Sequence, residues 1–218
     1  MAVPLANMPL TDINPDHDLL RRMRLGDAAA MSALYQRHQG PLYRFALLRC
    51  GSTDTAADIV QDVFIALIEG RLAFDANRGA LSSFLFGVAR NFMLKRDESQ
   101  RRFVSTRVAS TTDDEDDLTH DIVDPDPTPL EALLADHRAE AVRSALHQIA
   151  PHYRDVLILY EMQDLTYVEI AHICNIDIGT VRSRLSRARA KLLALLQGNA
   201  TALSDLSPAV PRTAQEQQ

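Results

Sequence analysis

Residues 164–189 read DLTYVEIAHICNIDIGTVRSRLSRAR, and their apolar positions predict two helices separated by a tight turn. Thr166, followed three residues later by Glu169, is a capping-box pattern that predicts the start of a short helix extending to Cys174. Asn175 suits the left-handed backbone conformation that a tight turn requires. A short helix, a three-residue turn and a longer helix are typical of a helix-turn-helix motif.

The second of these helices has one apolar stripe and an opposite surface that is polar and basic. The stripe consists of Val181, Leu185, Ala188 and Leu192, spaced four, three and four residues apart. Hydroxyl and basic side chains occupy the other side and its edges: Thr180, Arg182, Ser183, Arg184, Arg187, Arg189 and Lys191. Such groups suit contacts with phosphates and base edges in DNA. The alternative is a solvated basic helix in an ordinary bundle.

The charge of the chain is unevenly distributed. The formal net charge is −6, but residues 113–126 contain eight acids and no Lys or Arg, and without them the charge would be +2. Residues 178–193 carry five basic residues and no acid, and residues 90–102 carry five against two acids. The negative net charge of the whole chain therefore does not exclude a nucleic-acid partner.

Helical periodicity also predicts a first domain upstream of the acidic stretch. The candidate helices are 18–37, 42–49 with Pro41 in its first turn, 54–70 and 81–94, with a loop over 75–79. In the third helix, Ile59, Val63, Ala66 and Leu67 share one face. Four helices without a strand signal predict a compact helical domain.

Composition then separates this domain from a second one. Residues 103–129 are rich in Ser, Thr, Asp and Pro and predict an extended acidic linker. Helical patterns resume at 130–149 and 153–162 and lead into the motif of 164–189. We therefore predict an all-α chain with two small helical domains joined by a flexible acidic linker. The predicted boundaries are a disordered tail 1–15, a first domain 16–102, the linker 103–129, a second domain 130–197 and a disordered tail 198–218.

Several classes of function have no support in the sequence. Asp58 and Asp62 lie four residues apart among apolar residues, with no nearby His, so a catalytic pair is not expected. The two cysteines, Cys50 and Cys174, fall in apolar helical patterns and suit small core positions. No spacing predicts a catalytic residue, a metal site, a cofactor or a small-molecule substrate. No apolar run is long enough to insert in a membrane, and we expect a cytoplasmic location.

Two separated motifs resemble the extracytoplasmic-function (ECF) sigma factors of bacterial RNA polymerase, in the order found in that family. Residues 164–171 and 178–189 resemble the region 4 domain that binds the −35 promoter element. Residues 58–64, DIVQDVF, resemble the region 2 helix that docks on the β′ clamp helices, and residues 84–91, FLFGVARN, resemble the segment that recognises and melts the −10 element. The resemblance implies an alternative sigma factor that binds core RNA polymerase, including its β subunit, and promoter DNA. Relatives are often held by an anti-sigma factor.

The resemblance assigns roles to individual residues. The polymerase-binding face would comprise Asp58, Gln61, Asp62 and Phe64. Contacts with the −10 element would come from Asp75, Asn77, Arg78, Phe84, Arg90, Asn91, Lys95 and Arg96, with the loop 75–82 capturing a flipped base. The −35 element would contact Thr180, Arg182, Ser183, Arg184 and Arg187. Phe84 stands where relatives usually have Trp, and Lys95 stands where they often have an acid.

Two other interpretations remain open on the sequence alone. A helix-turn-helix regulator that binds operator DNA would explain residues 164–189 and would leave the first domain without a purpose. An adaptor that binds only proteins would be indifferent to replacement of Arg184 or Arg187.

Overall fold

The computed structural model describes residues 15–76, 79–106 and 129–205, and this part of the chain contains eight α-helices and no strand. The helices are α1 (Pro15–Arg24), α2 (Ala28–Cys50), α3 (Thr53–Ile68), α4 (Leu81–Thr106), α5 (Pro129–His147), α6 (Pro151–Glu161), α7 (Tyr167–Cys174) and α8 (Ile178–Asp205). The predicted all-α fold is confirmed. Most of the predicted linker and tails lies outside the described residues.

Helices α1 to α4 form a first bundle around the aromatic side chain of Phe45, which is fully buried. The predicted apolar face of α3 lies inside this bundle, because Ile59, Val63 and Leu67 are all at most 2% exposed. Helix α4 contributes Leu85 to the same core. Burial of a large aliphatic side chain contributes about 1.5–3 kcal/mol, so these positions fix the orientation of α3 and α4.

The first two predicted helices have different bounds in the structure. We expected a break between Arg37 and Leu42, with Pro41 beginning a new helix, and this boundary is wrong. Helix α2 instead runs through Pro41 without interruption, and the chain turns earlier, at Gly26, which has φ 90°. An interior proline costs roughly 3 kcal/mol. Burial of Leu42 on the same turn of α2 offsets that cost because the side chain is 2% exposed.

Helices α5 to α8 form a second bundle that holds the helix-turn-helix segment. Pro151 occupies the first turn of α6, where its missing N–H has no intrahelical partner. Ile158 and Ile170 are buried between α6, α7 and α8. Helix α8 continues to Asp205, so the helix extends past Gly198, where the sequence predicted a disordered tail to begin.

The two bundles contact each other directly. Helix α2 contacts α5 and α6, and α4 contacts α7. The residues between Thr106 and Pro129, which connect the bundles, lie outside the described part of the chain. The sequence predicted two domains, and the structure adds a broad interface between them.

Candidate polymerase and nucleic-acid interfaces

The helix-turn-helix motif is fixed by hydrogen bonds at the start of α7 and in the turn that follows this helix. The Thr166 hydroxyl accepts a hydrogen bond from the Glu169 amide at 3.3 Å, and Glu169 Oε2 accepts one from the Thr166 amide at 2.9 Å. This is the predicted capping box. Asn175 has φ 53°, the predicted left-handed conformation, and its amide donates to the carbonyls of Ala171 and His172. The motif therefore sets the direction of α8 relative to α7.

Helix α8 is anchored by its apolar stripe and exposes its basic side. Val181, Leu185 and Ala188 are at most 1% exposed, as the pattern predicted. On the outer side, Arg182, Ser183 and Arg187 are exposed, whereas Thr180 and Arg184 are half-buried. The outer side therefore presents hydroxyl and guanidinium groups that suit contacts with a DNA groove.

Aromatic and acidic side chains support the arginines of α8, and no sequence pattern singled them out. Arg187 Nη1 donates to the Tyr153 hydroxyl at 3.3 Å. Arg189 is held more firmly, because it pairs with Glu161 at 2.6 Å and its guanidinium lies 5.1 Å from the Tyr160 ring centroid. These partners come from α6 and could not be assigned from the sequence, since no local spacing relates them to α8.

The face of α3 predicted to bind polymerase is exposed except at one position. Asp58, Gln61 and Asp62 lie on the surface. Phe64 does not share that face, because it is 3% exposed and its ring packs at a tilt of 60° against that of Tyr35, with 4.8 Å between centroids. Phe64 points inward because it follows Asp62 by two residues, at about 100° per residue. Its role as a polymerase contact stays a prediction.

Two apolar residues of α3, Ile65 and Ile68, are 36% and 56% exposed. Ile65 follows Gln61 by four residues and therefore lies beside it on the outer surface of the helix. Together with Asp58, Gln61 and Asp62 it forms a surface with both apolar and acidic side chains. We call these four residues the α3 face. Ile65 could not be singled out from the sequence because the apolar face of α3 is so wide that the pattern gave this residue no distinct signal.

The residues predicted to contact the −10 element lie in three different settings. Phe84 is half-buried, and its ring packs at a tilt against that of Phe74, with 5.3 Å between centroids. Asp75 is exposed in the loop that follows Phe74. Asn77 and Arg78 lie outside the described residues. On α4, Asn91 and Lys95 are exposed.

Two arginines of this set already have acidic partners. Arg96 Nη1 donates to Asp58 at 3.1 Å on the surface. Arg90 Nε donates to Asp155 Oδ2 of α6 at 2.8 Å, and the Arg90 side chain is only 12% exposed. Arg90 therefore faces the second bundle, whereas the resemblance predicted that it contacts promoter DNA.

Asp155 belongs to a buried cluster of charges between the bundles. Its Oδ1 accepts from Arg49 Nε at 2.5 Å, and Arg49 also pairs with Asp97 at 2.7 Å. Burial alone would lower the pKa of Arg49, but Asp155 and Asp97 together raise it. Arg154 donates to the Arg49 carbonyl at 2.6 Å, and burial beside Arg49 lowers its pKa. The cluster joins α2, α4 and α6 through charge-assisted hydrogen bonds.

Other chemistry has little support in the described ranges 15–76, 79–106 and 129–205. These residues include no group of three or more His, Cys, Asp or Glu placed to hold a metal ion. Burial raises the pKa of the Cys174 thiol to about 11, so this group is protonated at neutral pH. Among the helices described, none is long and apolar enough to cross a membrane.

Family models match both bundles. The model described as Sigma-70 region 2 matches residues 34–103, and the one described as Sigma-70, region 4 matches residues 139–192. The RNA polymerase sigma factor NccH of Alcaligenes xylosoxydans xylosoxydans is 32% identical over 87% of this chain and 99% of its own. The ECF RNA polymerase sigma factor SigW of Bacillus subtilis is 26% identical over 79% of this chain and 92% of its own.

A solved structure has the same fold. It is the sigma factor RpoE in complex with the anti-sigma factor NepR from Bartonella quintana, with a TM-score of 0.61 and 24% identity over 76% of this chain and 96% of that one. The chain therefore belongs to the ECF group of the sigma-70 family of RNA polymerase sigma factors. Like other sigma factors it is a non-enzymatic initiation factor that binds core RNA polymerase and directs it to promoters. The match to region 2 accounts for the first bundle, which an operator-binding regulator would leave unexplained.

Proposed function

We propose that the three surfaces described above divide the work of promoter recognition between them. The α3 face binds the β′ clamp helices of core polymerase, α4 and the loop before it bind the −10 element, and the outer side of α8 binds the −35 element. The first domain spans 16–102 and the second 130–197, with the acidic linker between them. The protein acts in the cytoplasm, where core polymerase and promoter DNA are present.

The α3 face supports the first assignment by its chemistry. Asp58, Gln61 and Asp62 offer carboxylate and amide groups beside the exposed side chain of Ile65. An interface of this kind combines an apolar centre with charges that select a partner of opposite sign. The acids therefore suit a basic surface on the polymerase, and Phe64 supports the face from inside the core.

The −10 assignment relies on α4 and the loop that precedes it. The exposed side chains Asn91 and Lys95 can contact a phosphate backbone, and Arg96 lies next to them. The loop 75–82, with Asp75, Asn77 and Arg78, would receive a base flipped out of the stack. Flipping costs a few kcal/mol, which the basic contacts of α4 would offset. Phe84 packs on Phe74 and fills the place where relatives usually have Trp.

The observation that best supports promoter binding is the outer side of α8. Arg182, Ser183 and Arg187 are exposed on a helix that is anchored by the buried side chains of Val181, Leu185 and Ala188. The start of this helix is fixed by a capped helix and a tight turn. Thr180 and Arg184 flank them and complete the predicted set. A recognition helix requires this combination of a rigid base and an exposed polar edge.

An anti-sigma factor is a further expected partner. The similar sigma factor RpoE was solved in complex with the anti-sigma factor NepR. By analogy we propose that a protein of this kind controls the present chain by covering its polymerase-binding surface.

The experiment that tests the proposed function is co-elution of the purified chain with core polymerase that lacks its own sigma subunits. We expect a stable complex from the wild-type chain, and a loss of affinity of at least about tenfold, ~1.4 kcal/mol, in Asp62→Arg. Glu140→Arg is the matched control, because it reverses an exposed carboxylate on α5, away from the α3 face. Wild-type affinity in Asp62→Arg, or equal losses in both variants, would contradict the assignment of the α3 face.

A further inference from the structure

A row of two tyrosines flanked by two arginines joins α6, α7 and α8 beside the recognition helix. Arg182 Cζ lies 5.8 Å from the centroid of the Tyr167 ring. The Tyr167 ring packs against that of Tyr160, with 5.2 Å between centroids and 35° between the ring planes. At the far end, Arg189 Cζ lies 5.1 Å from the Tyr160 centroid. We call these four residues the tyrosine–arginine row.

The two ends of the row differ in what else they contact. Arg189 pairs with Glu161 at 2.6 Å, so this end is held within the second bundle. Arg182 is exposed, and within residues 15–76, 79–106 and 129–205 its guanidinium has no hydrogen-bond or ion-pair partner. The ring of Tyr167 therefore contacts Arg182 while all its N–H donors remain free for a ligand.

Arg182 lies at the edge of the proposed DNA-binding side of α8. It follows the buried Val181 by one residue, which places it about 100° around the helix from that anchor. Ser183, one residue further, lies nearly opposite the anchor. When a helix lies in the major groove, the side opposite its anchor faces the base edges, and its flanks face the phosphates. Arg182 is therefore placed for a phosphate.

The contact with the ring affects how readily Arg182 can bind. A long, exposed side chain loses rotamer freedom when a ligand fixes it, and this loss opposes binding. A side chain that is already held in place loses less. An aromatic ring attracts a guanidinium through its electron-rich face and leaves the N–H groups at the edge of the guanidinium to bind phosphate oxygens. In the described part of the chain the Tyr167 hydroxyl has no hydrogen-bond partner, so the ring is the group that acts on Arg182.

We propose that Tyr167 is a positioning residue for promoter binding, which holds Arg182 ready for a phosphate of the −35 duplex. Tyr160 supports Tyr167 from behind, and the ion pair of Arg189 with Glu161 closes the row. The inference rests on the proposed function of α8. It adds a residue of α7 that acts on DNA only through Arg182.

The test is a titration of the holoenzyme, reconstituted from the full chain and core polymerase, with a duplex promoter fragment. The fragment is chosen from genomic fragments that the wild-type holoenzyme transcribes. Tyr167→Leu keeps the apolar bulk and removes the ring, and it should weaken binding about two- to fivefold, the equivalent of an exposed cation–π contact. Tyr167→Phe keeps the ring and should bind like the wild-type chain. Val168→Ala, at an exposed position on the same helix, is the matched control and should also bind like the wild-type chain.

A double-mutant cycle shows whether Tyr167 acts through Arg182. Arg182→Ala should weaken binding by the same factor on the promoter fragment and on a fragment with an altered −35 element. It should also reduce the slope of log affinity against log salt concentration by about one, as expected for one lost phosphate contact. In the Arg182→Ala chain, Tyr167→Leu should have no further effect on affinity. A purely structural role of Tyr167 would give the same loss in both backgrounds and a lower melting temperature.

Three results would overturn the inference. They are wild-type affinity in Tyr167→Leu, an undiminished effect of that variant in the Arg182→Ala chain, and equal losses in Tyr167→Leu and Tyr167→Phe, which would show that the hydroxyl itself contacts DNA. If Tyr167→Leu does not fold, Tyr160→Leu removes the support of the same ring, and its effect should likewise vanish in the Arg182→Ala chain.

Failure of the proposed function gives a different result. If Arg182→Ala and Arg187→Ala both bind the fragment like the wild-type chain, α8 does not bind the −35 element, and the inference fails together with the proposed function. A loss in Arg182→Ala without coupling to Tyr167 would refute the inference alone.

Discussion

The side chains of Arg96 and Asp58 pair across the surface of the first bundle, with Nη1 of Arg96 3.1 Å from Oδ2 of Asp58. Arg96 belongs to the proposed −10 surface and Asp58 to the α3 face. The two side chains are 41% and 54% exposed, so water and salt screen their attraction. The pair joins two proposed binding surfaces, and breaking it costs little free energy. Arg96 can therefore exchange Asp58 for a DNA phosphate, and Asp58 can exchange Arg96 for a basic group of the polymerase.

The weakness of this pair gives the first prediction. Replacing Asp58 by Asn should change the free energy of unfolding by less than about 1 kcal/mol, because exposed ion pairs contribute ~0–1 kcal/mol. The same variant should bind core polymerase more weakly than the wild-type chain. Urea unfolding followed by circular dichroism measures the first quantity and co-elution with core measures the second. A large loss of stability would show that the pair has a structural role.

The second prediction compares two arginines on α8. Arg187→Ala should weaken binding to −35 DNA by ~1–3 kcal/mol if the guanidinium contacts a base edge. Arg187 is exposed and has one long hydrogen bond, to Tyr153 at 3.3 Å, so it can turn toward DNA easily. The measurement is a titration of the polymerase holoenzyme with promoter fragments.

Arg189→Ala is the matched control for that experiment. Arg189 pairs with Glu161 at 2.6 Å and lies against the Tyr160 ring, so its charge is already engaged within the second bundle. We expect its replacement to affect DNA affinity less than that of Arg187. Equal effects of the two replacements would show that α8 binds DNA through its overall charge and without a defined recognition edge.

The sequence predicted the features that depend on neighbours along the chain. The capping box of Thr166 and Glu169, the left-handed Asn175 and the stripe from Val181 to Ala188 all follow from spacings of a few residues. These patterns placed the second bundle and its helix-turn-helix segment correctly. The bounds of α1 and α2 were predicted wrongly because Pro41 is a strong local signal, and burial of Leu42 overrides it only in the folded bundle.

The contact between the bundles could not be predicted in the same way. Arg49 and Asp155 are separated by more than a hundred positions, and no helical period relates them. Each is a charged residue within an apolar helical pattern, and the sequence alone does not explain why a charge stands there. The structure explains both, since a charge in such a position requires a partner of opposite sign. A buried charge within an apolar helix is therefore a useful sign of contact between domains.

The third prediction concerns the capping box. Thr166→Ala removes the hydroxyl that accepts from the Glu169 amide, and loss of such a cap costs about 1 kcal/mol. The melting temperature should fall by a few degrees, and Thr166→Ser should retain most of the stability because serine is an equally good cap. Differential scanning calorimetry of the three chains measures this. Similar decreases in the melting temperature of both variants would show that the effect comes from loss of the threonine methyl group.

The fourth prediction is that the stability of the folded chain depends on pH through His147, which contacts the first bundle beside Gly51. Desolvation and the charges of Arg154 and Arg49 lower the pKa of His147 from its ordinary value of 6.5, against an opposing effect of Glu140. Neutral His147 accepts a hydrogen bond from Arg154 at 3.2 Å. A histidine whose pKa is lowered on folding contributes its full stabilisation above its ordinary pKa. That stabilisation is lost as the pH falls toward the lowered value.

The melting temperature should therefore decrease as the pH is lowered from about 8 to about 5.5, the range in which histidine titrates. His147→Gln cannot become charged, so its melting temperature should decrease less over the same range when measured by differential scanning calorimetry. An equal response in this variant would contradict the role of His147. It would point to His38, a buried residue of α2 whose pKa is also lowered by burial.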